Sequence, residues 1–94
     1  MNEYKIIDIV HSGRKGIRGT KVTQSKYENM VGCIAYIDVD NVKLLRSVHM
    51  ILKGHPEYDW WETSVLISCE INQNINRILL ETVNSIYILE KIEE

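Results

Sequence analysis

Residues 63–92, T-S-V-L-I-S-C-E-I-N-Q-N-I-N-R-I-L-L-E-T-V-N-S-I-Y-I-L-E-K-I, decide the fold class. Thr63, Val65, Ile67, Cys69 and Ile71 alternate with Ser64, Leu66, Ser68 and Glu70, the period of two expected of a strand with one buried face. The polar run at 72–76 is turn chemistry, so Arg77 to Thr82 should return antiparallel as a hairpin partner. Asn84-Ser85 reads as a bend or bulge before a last strand over Ile86 to Ile92, apolar on both faces.

The same pattern extends towards the N-terminus. Tyr4 to His11 reads as a strand, with Ile7 and Ile9 on one face and Tyr4, Ile6 and Val10 on the other, which suits the middle of a curved sheet. Thr20 to Thr23 offers a short return. Ser25-Lys26-Tyr27-Glu28 has the S-x-x-E form of a capping box, and Gly32 supplies a left-handed stop, so a short helical turn is expected at 26–31, plugging one end of a barrel. Val31 to Val39 alternates as a strand that ends at Asp40-Asn41. Residues 42–53 fit a strand leading into a turn at Lys53-Gly54-His55-Pro56, and they also fit a helix over about 41–53. The sum is a mainly β, single-domain barrel or sandwich spanning 1–94, SH3-like or OB-like, with five to seven short strands. With the rival helix it becomes α+β.

Ninety-four residues hold one core, and 45% hydrophobic with 26% charged residues is ordinary globular composition. Charge is unevenly placed. The stretch 12–26, S-G-R-K-G-I-R-G-T-K-V-T-Q-S-K, carries Arg14, Lys15, Arg18, Lys21 and Lys26, a local +5 that leaves −7 on the rest of a chain of net charge −2. One basic loop on an acidic body excludes a wide nucleic-acid or membrane-coating field but suits a local anion site. Cys33 and Cys69 have no C-x-x-C partner and read as free core thiols. No charged-then-apolar leader or membrane-length apolar run is present, so a cytoplasmic location is expected, the host cytosol if the protein is phage-encoded.

Glycines at 13, 16 and 19 allow close backbone approach, so the amides of Ser12, Gly13, Arg14, Lys15, Gly16, Arg18, Gly19 and Thr20 form a candidate ligand-binding nest rimmed by cations. The spacing is neither that of a phosphate-binding Walker loop nor that of a dinucleotide fingerprint. The plainer alternative is a solvated hairpin loop. Trp60 and Trp61 point to opposite faces of a strand, so one indole is available for stacking or for an interface if its face is open. Acids at 57, 59 and 62 would repel a phosphate backbone there. His11, His49 and His55 lie in no metal-ligand or acid–base spacing, so no catalytic residue, metal or cofactor is expected and the chain reads as a non-enzyme.

The closing pattern, T-S followed by an alternating strand, a turn and E-T-x-N-S-I-Y-x-L, resembles small uncharacterised β-rich proteins of phages and mobile elements of low-GC Gram-positive bacteria. The resemblance implies no activity of its own. Together with the loop it frames the expectation of a binding module for an anionic nucleotide-like ligand or an acidic partner surface of a host protein, acting to counter host defence. Two alternatives stay open. One is a small barrel that binds single-stranded nucleic acid; the other is a structural homo-oligomer with Trp60, Trp61, Leu66 and Leu89 at its interface.

Overall fold

The computed structural model describes residues 2–72 and 74–92. Seven antiparallel strands form one sheet: β1 (Asn2–His11), β2 (Ile34–Ile37), β3 (His49–Lys53), β4 (Trp60–Glu62), β5 (Leu66–Asn72), β6 (Arg77–Thr82) and β7 (Ser85–Lys91). Their order across the sheet is β4-β3-β2-β1-β7-β6-β5. The long first strand therefore lies at the centre, as its two apolar faces require, pairing with β2 through residues 2–5 and with β7 through residues 4–11. A bulge between Ile6 and Asp8 changes the phase of that strand. Tyr4, Ile6 and Ile9 consequently join a single core, although strict alternation assigns Ile9 to the other face.

The connection between β4 and β5 sets the overall shape. These strands occupy opposite edges of the sheet, six strand spacings apart, which would be about 29 Å if the sheet were flat. Only Thr63, Ser64 and Val65 join them, and the four steps from Glu62 to Leu66 reach at most about 14 Å. The sheet must therefore roll until its edges approach. It is not closed by strand pairing; instead Leu66 accepts from Leu45 N (2.8 Å) and donates to Arg46 O (3.0 Å), so the loop before β3 bridges one end of the seam.

This corner corrects the most regular stretch of the sequence. The expected single strand from Thr63 is two structures: Trp60–Glu62 on one edge, and Leu66–Asn72 on the other. A second bulge, between Leu66 and Ser68, then fixes the faces. Leu66 is wholly buried, while Ile67 and Ile71 are exposed. Leu66 and Leu89, the expected interface positions, are both wholly buried and present nothing to a second subunit.

Residues 42–48 form neither the expected strand nor the rival helix; the strand starts at His49, and one 3-10 turn lies earlier, at Val39–Asn41. Asp38 caps that turn, its carboxylate accepting from Asp40 N and from Asn41 Nδ2 (2.7 Å). Exposed Arg46 would break the apolar face of a strand, and its segment is used to stitch the seam. The Val31–Val39 strand shortens to Ile34–Ile37, because Gly32, at φ +91°, turns the chain out of the helical turn before it and donates to Ile6 O (2.8 Å).

The helical turn α1 is Ser25–Glu28, with Gln24 at its N-cap and no side-chain cap, so the capping box does not form. The plug itself does: Met30 is wholly buried and Tyr27 packs against the core. The β5–β6 and β6–β7 hairpins follow the expected pattern. Gln73, within the expected first turn, lies outside the described residues. At the second turn Thr82 Oγ1 accepts from Asn84 N and Ser85 N and donates to Ser85 O (3.0 Å). Among the described residues no helix is long and apolar enough to cross a membrane.

Candidate functional site

The glycine loop leaves β1 at His11 and returns beside it, since His11 N donates to Thr20 O (2.8 Å), Gly19 N to His11 O (2.9 Å) and Val22 N to Ile9 O (3.1 Å). The expected return strand at 20–23 is reduced to a single bridge between Val10 and Lys21. Gly13 and Gly19 have φ of +118° and +84°, as the turns at each end require. Gly16 has a different role: a Cβ there would lie 2.6 Å from the His11 ring. The loop is folded down on His11, with its backbone in place of a side chain.

The members of the expected nest separate into two groups. Ser12 N, Gly19 N and Thr20 N already donate to carbonyls. Arg18 is committed to Glu81 on β6 through a bidentate pair, Nη1–Oε2 2.5 Å and Nη2–Oε1 2.8 Å, and also donates to Ser12 O (2.9 Å). The hydrogen bonds from Arg18 hold the Glu81 carboxyl below the usual carboxylate range, and the same pairing pushes the Arg18 guanidinium up. Ser12 Oγ donates to Val83 O (3.0 Å), so this half of the loop is a clamp onto the β6–β7 turn. Arg14 and Lys15 form the outward half, and both are exposed.

Lys15 shares a cleft of about 280 Å³ with His11, Thr23, Gln24, Tyr27 and Asn84. Among the described residues no carboxylate lines it. Its lining brings together Lys15, His11 and Tyr27 with Gln24 and Asn84. Asn84 donates through Nδ2 to Ser64 Oγ (2.7 Å), while its buried Oδ1 meets no donor among the described residues.

Tyr27 also joins this cleft to an aromatic cluster. Its ring meets Trp61 edge-on at 5.4 Å, Trp61 meets Tyr58 at 5.4 Å, and Tyr58 meets His55 at 5.0 Å. Lys26 Nζ lies 5.4 Å from the Tyr27 centroid and 5.7 Å from that of Trp61. Trp61 Nε1 donates to Tyr87 Oη (3.1 Å); burial pushes the Tyr87 hydroxyl far above the ordinary tyrosine range, against the smaller lowering by this bond. Burial also raises the Tyr27 hydroxyl. His55 Nδ1 accepts from Glu57 N (3.0 Å) and Tyr58 N (3.1 Å), which places its proton on Nε2, donated to Lys26 O at 2.9 Å. The β3–β4 turn is thereby fixed to α1.

The two tryptophans divide as adjacent strand residues must. Trp61 is half-buried beside Tyr27, while Trp60 is 58% exposed and stacks on His49 at 5.7 Å, next to Glu62. Trp60 does not line the cleft. Of the sequence candidates, Lys15 lies in the cleft, Arg18 and Ser12 brace it, and Trp61 touches it through Tyr27. Thr23, Gln24, Tyr27 and Asn84 were legible only as structural residues; the one available signal for Tyr27 was an aromatic in the turn next to a basic loop. Among the described residues no three His, Cys, Asp or Glu side chains converge on a common point. Compared with family models, curated proteins and solved structures, the chain matches none.

Proposed function

We propose that this protein is a non-catalytic binding module that holds an anionic, ring-bearing small molecule of nucleotide type in the cleft between the glycine loop and α1. The observation that carries the proposal is the meeting of Lys15, His11 and Tyr27 in one cleft that no carboxylate among the described residues lines. A phosphate would be placed at Lys15, with the amides of the outward half of the loop as further donors. A base would lie against Tyr27, and a ligand hydroxyl or amine would satisfy Asn84 Oδ1. The volume is at the lower limit for small-molecule sites, which favours a mononucleotide over a larger ligand. The likeness of the C-terminal strands to phage proteins supplies a setting, the sequestration of a nucleotide signal in a host cell.

Calorimetric titration of the full chain with AMP, ATP and a cyclic mononucleotide tests this. Saturable binding of at least one is expected. Lys15→Ala should weaken it by about tenfold, the effect of one charge-assisted contact. Tyr27→Phe should keep the affinity and Tyr27→Ala lose it, in line with stacking worth roughly 1–3 kcal/mol per base. Absence of heat with all three ligands would reject the proposal.

A further inference from the structure

The outer edge of β4 is a second surface, apart from the cleft. Leu52 N donates to Asp59 O (2.8 Å) and Thr63 N to Val48 O (3.0 Å), so 52/59 and 48/63 are hydrogen-bonded pairs of the β3–β4 ladder. Such pairs alternate in an antiparallel ladder, so Ile51/Trp60 and His49/Glu62 are of the other kind. The main-chain N–H and C=O groups of Trp60 and Glu62 therefore point away from β3, to the side where β4 has no neighbouring strand. Among the described residues none of these four groups meets a main-chain partner. The opposite edge differs, because Leu66 at the start of β5 is engaged through both its N–H and its C=O by Arg46 and Leu45. β4 is short, which limits chance pairing, but it carries neither lysine nor proline and displays an exposed indole.

We propose that the β4 edge takes an extended basic segment of a partner protein by strand addition. Charge selects the occupant. Glu57, Asp59 and Glu62, on β4 or just before it, are all exposed. A second copy of this chain would set two such acidic edges side by side, whereas a basic segment complements one. The register then says where the cations belong. In an antiparallel addition one partner residue forms a hydrogen-bonded pair with Trp60, and the residue two places along forms another with Glu62, giving four ladder bonds. Both partner side chains would lie on the face where Trp60, Ile51 and Tyr36 share a row and Glu62 and His49 the next. A cation in the first row lies beside the Trp60 indole, and one in the second meets the Glu62 carboxylate. Lys53, two places beyond Ile51 on the same face, would repel a third cation in the row beyond Trp60. The segment is thus of cation-x-cation form, in place of a uniformly basic run.

The experiment titrates the ¹⁵N-labelled full chain with three capped peptides and follows amide shifts. These are T-V-R-V-R-V-T, its glutamate counterpart T-V-E-V-E-V-T, and the arginine peptide N-methylated at both arginine amides, which keeps the charge and removes the donors to the carbonyls of Trp60 and Glu62. The arginine peptide should give saturable shifts at Trp60, Trp61 and Glu62 and slow the hydrogen exchange of the Trp60 and Glu62 amides. The other two peptides should each bind about tenfold more weakly or less. Trp60→Ala should weaken the arginine peptide by about fivefold and Glu62→Gln by about threefold, both being changes at exposed side chains. Equal binding of the arginine peptide and its N-methylated form, shifts that do not saturate, or shifts confined to β5 would overturn the proposal. So would shifts at Trp60 and Glu62 that grow with the concentration of the protein alone, which would assign the edge to a second copy. AMP should leave these amides unmoved, so failure here is separable from failure at the cleft.

Discussion

At the end of the sheet that carries the glycine loop, side chains close every corner with directed bonds. Arg18 grips Glu81, Ser12 reaches Val83, Asn84 reaches Ser64, Trp61 reaches Tyr87, and His55 holds α1. At the other end, Ile37, Val39 and Val42 face Cys69, Leu80 and Leu89 of β5–β7 across an apolar cavity. Directed bonds fix both distance and angle, whereas apolar contact fixes neither. The bonded end therefore has a defined small cleft, and the other end keeps an apolar cavity.

The two ends should differ most when one apolar side chain is deleted from each. Met30 is wholly buried under α1, so Met30→Ala should cost about 2–5 kcal/mol, the range for large-to-small core changes. Ile71, mostly exposed at the seam, should cost less than about 1 kcal/mol on the same change. Urea denaturation followed by tryptophan fluorescence measures both. Equal losses would mean that the seam is packed as tightly as the plug, and the contrast would fail.

A smaller effect is expected from Thr82→Val, which keeps the shape and removes the hydroxyl. That oxygen accepts two backbone amides and donates to one carbonyl, and Thr82 is buried with Ser85. The loss should be about 1–3 kcal/mol, since the amide of buried Ser85 is left unpaired. If denaturation midpoints do not move, the β6–β7 turn is held by its backbone alone and the polar closure of this end is overstated.

Residues 77–91 were legible in the sequence because their determinants are local: period-two alternation and turn residues at the right offsets. The central place of β1 was legible as well, from its two apolar faces. Residues 60–72 were not, because what divides them is remote. Thr63 Oγ1 accepts from Val48 N (2.9 Å), and Ser64 receives Asn84, so the corner is made by partners 15 and 20 positions away. The bulges after Ile6 and Leu66 likewise swap faces without any residue that announces them. The site divides the same way. Lys15 was visible as part of a charge run, but the commitment of Arg18 to Glu81 depends on a residue 63 positions away, and Tyr27 joins the cleft only once the plug is seated.

The smallest effect belongs to that Arg18–Glu81 pair, and it depends on pH. Arg18 is largely exposed while the Glu81 side chain is 17% accessible, so solvent screens the pair and its contribution should fall below that of the Thr82 hydroxyl. The Glu81 carboxyl is held below its unfolded value, chiefly by the hydrogen bonds from Arg18. The contribution is therefore complete above the unfolded glutamate value near ~4.3 and lost as pH falls through the lower, folded value. Glu81→Gln should lower the melting temperature slightly at pH 7, and the difference from the native chain should shrink steadily below pH ~4 and vanish in stronger acid. No loss at pH 7 would assign the stabilisation to packing of the Glu81 stem, which glutamine keeps. The loop would then be held as the seam is held, by contact without direction.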